Sequence, residues 1–163
     1  MSDIINTFED EKEVDLQRNM YLTFLLDNRV FAFPIKDVDE IVEVMEATPV
    51  PEFPPYVKGI VNIKGKVTPV IDLRLRFKIE EKDYDERTCI VVLTIEDKHI
   101  GFIVDTVLSV MEINEDIIDP APSLSADDVS KYIKGVAKLE DKLLMLLDSG
   151  KIIRQEDFEK ITE

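Results

Sequence analysis

The chain holds one cysteine, one histidine and five glycines in 163 residues, with 20 basic residues set against 35 acidic ones. Each scarcity excludes something. Cys89 has no partner for an internal disulfide, which suits a reducing compartment, and inside the apolar run 88–95 it reads as a small core residue. His99 follows a charged turn on a strand and reads as a lone hairpin histidine; without His or Cys partners, only carboxylate-held metal sites stay open. The formal net charge of −15 argues against a nucleic-acid backbone or an anionic membrane surface as partner, because both demand a basic face. No apolar run approaches the ~20 residues that span a bilayer. The first residues, M-S-D-I-I-N-T-F-E-D-E, lack the basic and apolar regions of a signal peptide, so a soluble, cytoplasmic protein is expected. Reactive motifs are missing too. There is no Gly-x-Ser-x-Gly, and Gly65-Lys66 fails as a phosphate loop: Gly59 stands one residue too far back, Val67 replaces Ser or Thr, and a strand follows where a helix must. No catalytic residue and no cofactor are assigned.

What the chain does have is a β-branched pattern written twice. Residues 56–73, Y-V-K-G-I-V-N-I-K-G-K-V-T-P-V-I-D-L, place two apolar runs around Lys64-Gly65-Lys66. Val and Ile fit a pleated, half-buried surface, and Gly65 supplies the positive φ of a tight connection, so the stretch reads as a β-hairpin. Pro69 donates no backbone hydrogen bond, which predicts an edge strand or a bulge. Shifted by 76 residues, Tyr56-Val57-Lys58-Gly59-Ile60 becomes Tyr132-Ile133-Lys134-Gly135-Val136, and Asp72 becomes Asp148. Shifted by 69, Asn28-Arg29-Val30-Phe31-Ala32-Phe33 becomes Asp97-Lys98-His99-Ile100-Gly101-Phe102, and Val38 and Ile41 fall on Val107 and Val110. The difference between the shifts implies a seven-residue insertion in the loop before Tyr132. Gly59, Gly65 and Gly135 are read as structural turn positions, Gly59 at positive φ. Asp72 and Asp148 each directly follow an apolar strand and read as caps rather than a catalytic pair.

The fold class expected is mostly β: two similar SH3-like five-stranded β-barrel lobes arising from the repeat, closed by a short C-terminal helix. Residues 1–18 read as a flexible acidic arm, residues 20–85 as lobe one, 86–150 as lobe two and 151–162 as an amphipathic helix. The four prolines of Pro49-Val50-Pro51-Glu52-Phe53-Pro54-Pro55 make a stiff connector. Residues 78–87, charged and without periodicity, form the lobe junction.

The run Val57-Lys58-Gly59-Ile60-Val61-Asn62-Ile63-Lys64-Gly65-Lys66-Val67, with Pro69-Val70-Ile71-Asp72-Leu73, closely resembles the signature of the bacterial chemotaxis coupling (CheW) family. Phe31-Ala32-Phe33-Pro34-Ile35, Val38-Asp39-Glu40-Ile41, Gly101-Phe102-Ile103-Val104-Asp105 and Tyr132-Ile133-Lys134-Gly135-Val136 resemble it as well. The likeness runs from Met20 to about Ile153. It implies two interlocked five-stranded barrels and a non-enzymatic adaptor that joins the histidine kinase CheA, through its regulatory domain, to the cytoplasmic tips of methyl-accepting chemoreceptors. It also implies association with membrane receptor arrays through those partners, without insertion into the bilayer. The receptor groove carried over by the resemblance comprises Val38, Glu40, Ile41 and Lys64 from lobe one, with Val104 and Val107 from lobe two. An apolar groove with a few register-fixing charges suits an amphipathic helix. Where the family usually has Arg, this chain has Lys64, which keeps the charge and loses the planar fork. Two other readings stay open from the residues: a ligand- or metal-binding β-barrel regulator with enzymatic activity, and a coupler-like paralogue serving another sensory pathway.

Overall fold

The computed structural model describes residues 18–120 and 129–162. The expected acidic arm, all but Arg18, and residues 121–128 of the loop before Tyr132 lie outside them. Among the described residues eleven strands form in chain order, and they carry most of the regular structure. β1 (Met20–Leu26), β2 (Arg29–Pro34) and β3 (Val38–Glu43) are followed by the hairpin β4 (Val57–Ile63) and β5 (Lys66–Asp72) and by a one-turn helix α1 (Leu73–Arg76). The second copy supplies β6 (Cys89–Ile95), β7 (Lys98–Val104), β8 (Thr106–Glu112), the short β9 (Ile118–Pro120), β10 (Ile133–Leu139) and β11 (Lys142–Leu147). Two short helices, α2 (Ser149–Ile152) and α3 (Gln155–Ile161), follow.

The strands pair as a six-stranded sheet, β8-β1-β2-β11-β10-β9, and a five-stranded sheet, β3-β6-β7-β5-β4. The division near residue 85 is therefore not the division between sheets. The β1–β2 hairpin of the first copy lies between β8 and β11 of the second, and the β6–β7 hairpin lies between β3 and β5 of the first. The copies have exchanged hairpins, and they keep the same register in doing so. Val38 faces Leu93 and Glu40 faces Val92 across a register shift; at the positions 69 residues away, Val107 faces Phe24 and Ser109 faces Thr23 across the same shift. The parallel pairs Val70–Gly101 and Leu146–Ala32 correspond likewise.

This exchange explains why several strands are apolar throughout instead of alternating. Along β6, Ile90 and Val92 point into a cluster with Val61, Val70 and Ile103, while Val91 and Leu93 point into a larger cluster with Phe24, Phe33 and Phe102. Each sheet thus buries one face in its own curl and the other in a core shared with its partner, and a strand covered on both faces needs apolar side chains at every position. Rings run through the shared core from Phe102 to Phe33 at 5.5 Å, Phe24 at 5.1 Å, Phe31 at 6.0 Å, Phe77 at 5.7 Å and Tyr132 at 5.2 Å. Arg76 lies over both repeat-related tyrosines, 4.4 Å from the centre of Tyr56 and 4.9 Å from that of Tyr132, and its Nε donates to the Ile152 carbonyl at 2.5 Å.

Three local expectations need correction. Pro69 sits in β5, an interior strand, and not at an edge; the register shift of the β4–β5 pair falls beside it, between Val57 and Gly59 opposite Ile71 and Val70, and pairing of β5 with β7 begins only at Val70. The C-terminal helix is two helices. The backbone is extended at Ile153 and Arg154, which ends the first helix before the second begins, and Ile152 and Ile153 are both buried at the break. Cys89 is half-buried beside the shared core and not fully inside it. Asp72 and Asp148 do cap α1 and α2, accepting from the Arg74 N–H at 2.9 Å and the Gly150 N–H at 3.1 Å.

Candidate functional site

β3 and β8 occupy equivalent places at the outer edges of the two sheets. An edge strand whose inner residues pack on a core leaves its alternate residues for something else. Val38 and Val107 are half-buried against the shared core, so each is both core and surface. Beyond them along the two strands, Ile41 is 42% exposed and Val110 is 49% exposed. Val104 behaves differently. It is fully buried, because Ile100, Phe102 and Val104 share the inward face of β7, and it supports the site from below instead of lining it.

Glu40 follows the register shift in β3 and points toward the opposite edge of its sheet. There Lys64 occupies the β4–β5 turn, with positive φ at both Lys64 (51°) and Gly65 (82°). Asn62 Oδ1 accepts from the Gly65 N–H at 2.9 Å and holds the turn. Lys64 Nζ lies 3.2 Å from Glu40 Oε2, joining the two outer strands of the five-stranded sheet. The other carboxylate oxygen of Glu40 is buried without a hydrogen-bond partner, so the charge on Glu40 depends on Lys64 for compensation. The chain that leaves β3 also reaches β4: Thr48 and Ile60 exchange two backbone hydrogen bonds of 2.9 Å each. Gly59 is required beside that crossing. Its φ is +145°, and a Cβ there would stand 2.1 Å from the Thr48 carbonyl oxygen. Gly135 is crowded too, with Ile118 2.7 Å from where its Cβ would be.

The neighbouring polar groups extend this network. Asp39 Oδ2 lies 3.3 Å from His99 Nδ1, and His99 Nε2 lies 3.5 Å from Lys66 Nζ. Lys66, His99, Val67, Pro69 and Ile161 border an open cleft of about 510 Å³. Val67 is 67% exposed, and its counterpart Leu143 is 58% exposed. Sequence reasoning singled out Ile41 but not Val110, Val67 or Leu143 as exposed apolar residues. The repeat already carried the signal for Val110, since a shift of 69 maps Ile41 onto it.

Among the described residues, no group of three or more His, Cys, Asp or Glu side chains is placed to hold a metal ion. No helix among them is long and apolar enough to cross a membrane. What the site offers is apolar surface on two edge strands, graded by one ion pair.

The CheW-like domain description matches residues 20–157. The chemotaxis protein CheW of Klebsiella aerogenes is 31% identical over 137 residues, covering 84% of this chain and 82% of that protein. The CheW of Helicobacter pylori is 32% identical over 148 residues, covering 91% and 87%. The crystal structure of the scaffolding protein TtCheW from Thermoanaerobacter tengcongensis superposes with a TM-score of 0.74 at 33% identity, covering 80% of this chain and 88% of that one. Sequence and fold agree over most of the chain, which belongs to the CheW-like domain family.

Proposed function

We propose that this chain is a non-enzymatic scaffold of chemotactic signal transduction that joins the regulatory domain of the histidine kinase CheA to the cytoplasmic tips of chemoreceptors. It works in the cytoplasm and reaches receptor arrays through its partners. The observation that carries the reading is the pair of equivalent edge strands with exposed apolar residues, Ile41 on β3 and Val110 on β8, flanking Val38 and Val107 on the shared core. A helical hairpin laid across such strands buries its apolar stripe and leaves charged residues to fix register. Val38, Glu40, Ile41, Lys64 and Val107 line the receptor site, and Val104 backs it. Val67 and Leu143, at the hairpin ends of the two sheets, supply apolar contacts for the kinase domain.

The test is Ile41→Asp, titrated against a fluorescent, soluble receptor-tip hairpin. A charge placed in the apolar contact should weaken binding by about 2 kcal/mol or more, roughly 30-fold, with the far-UV spectrum unchanged. Parallel loss of fold and binding would place Ile41 in the core instead. Unchanged affinity would remove β3 from the site.

A further inference from the structure

The chain carries a formal net charge of −15, so a cleft with more cations than carboxylates is unusual on its surface. The cleft of about 510 Å³ has that balance: Lys66, Lys98 and His99 border it, against Asp97 alone. Three other clefts hold at least as many carboxylates as lysines and arginines. The cation-rich cleft is also apolar, walled by Phe53, Ile60, Val67 and Ile161. Glu40, Ile41 and Lys64 do not border it, which separates it from the receptor site proposed above. The ligand that suits such a cleft is a peptide segment acidic and apolar at once, and this chain contains one. Residues 1–17 lie outside the described residues and outside the stretch that matches the family, and they hold six carboxylates against one lysine. Four of the six fall in Glu9-Asp10-Glu11-Lys12-Glu13, and Ile4, Ile5 and Phe8 stand just before that run.

Connectivity puts the cleft within reach of this arm. Tyr21 pairs with Pro34, and the 3₁₀ turn Ile35–Asp37 that follows packs against both β1 and β6. Two residues beyond that turn, Asp39 Oδ2 lies 3.3 Å from His99 Nδ1. Along that path Tyr21 and His99 are separated by at most about 35 Å. Thirteen residues lead from Tyr21 back to Phe8, and they extend to about 45 Å. We infer that the arm folds back into this cleft, its carboxylates against Lys66 and Lys98 and its apolar residues over Val67 and Ile60. Tethering makes a weak contact sufficient. A short linker holds the arm at an effective concentration of about 1 mM, so a contact that separate molecules would make only at millimolar concentration is populated. The seated arm covers Val67. Resting on the kinase-contact reading above, it is an internal competitor that the kinase regulatory domain displaces.

The experiment uses the full chain with labelled Ile, Leu and Val methyl groups and one nitroxide attached at Thr7→Cys, with Cys89→Ser leaving a single attachment point. Val67 and Ile60 signals should lose intensity, and Leu143, the repeat counterpart of Val67 on the other sheet, should lose much less. Reversing the arm charges with Glu9→Lys, Asp10→Lys, Glu11→Lys and Glu13→Lys should restore Val67 and Ile60. The substituted arm lies outside the packed body, and the methyl spectrum itself reports that each variant is folded. Equal loss at Val67 and Leu143, no loss at either, or a loss that survives charge reversal would overturn the inference. In parallel, the charge-reversed chain should bind a CheA regulatory domain at least about twofold more tightly, because an arm seated half the time halves the competent population. Unchanged affinity beside a localised loss at Val67 would overturn the kinase contact at this cleft and leave the seated arm standing.

Discussion

Gly59 and Gly65 sit six residues apart in one hairpin and answer to different constraints. At Gly65, with φ +82°, nothing lies within 4 Å of an added Cβ, so Gly65→Ala meets backbone strain alone. That costs about 1–2 kcal/mol. At Gly59 the positive φ coincides with the Thr48 crossing, so Gly59→Val should leave no folded protein, while Gly65→Ala should only lower the urea midpoint. A normal midpoint for Gly59→Val would contradict the placement of Thr48 against it. The positive φ of Gly59 was expected from the sequence, but its place was read as a turn, whereas Gly59 and its counterpart Gly135 both lie inside strands. The partner it makes room for was not legible, since Thr48 lies beyond β3 in a stretch with no strand pattern. Val104 was placed in the groove by the resemblance and not by its spacing; the structure buries it fully on the inward face of β7, against a core that only the exchanged topology creates.

Elements are tied together at Asp105, between β7 and β8. Its carboxylate accepts from Arg74 Nε at 2.8 Å and Arg74 Nη2 at 2.6 Å, and from the Asp27 N–H at 3.0 Å. One side chain thus joins α1, the β1–β2 turn and the start of β8. Burial by itself would raise this carboxyl, but the hydrogen bonds from Arg74 and from the Asp27 backbone outweigh it and hold the group below its ordinary value. A carboxyl depressed on folding contributes stability above its unfolded pKa of about 3.9, and that contribution disappears as pH falls through the lower folded value. Asp105→Asn should therefore destabilise the chain by about 3 kcal/mol at neutral pH, the loss typical of a broken, largely buried pair. It should also flatten the decline of stability as pH falls below the unfolded value. Urea titrations across that range would show both effects; parallel pH curves for native and variant protein would deny Asp105 its role. At this scale the hairpins, the two Asp caps and the proline connector could be read from the residues, because turns and caps are local chemistry. The split between α2 and α3 could not. It lies at Ile153 and Arg154, whose backbone is extended with no Gly or Pro to mark the break in the sequence.

For the molecule as a whole, the repeat announced two similar lobes; that they interlock came from the resemblance alone, and which hairpins they exchange was not legible in the residues. Strand patterns specify partners by apolarity alone, and β1 would pair as well beside β3 as beside β8 on that criterion. Only the folded chain distinguishes them. Residues 1–85 should accordingly fail to fold as a monomer, as should 86–163, because each contains strands whose neighbours lie in the other half. Mixing the two should restore a native β spectrum in circular dichroism. A cooperative unfolding transition from either half as a monomer would contradict the exchanged topology. The same architecture places repeat-related apolar residues on two edge strands and two hairpin ends, the separate surfaces that the proposed scaffold role requires. Sedimentation velocity of the full chain with a CheA regulatory domain and a soluble receptor-tip hairpin tests that claim most directly. A single boundary containing all three is the expected result, from which Ile41→Asp removes the receptor hairpin and leaves the kinase domain bound. Three independently sedimenting species at tens of micromolar would contradict it.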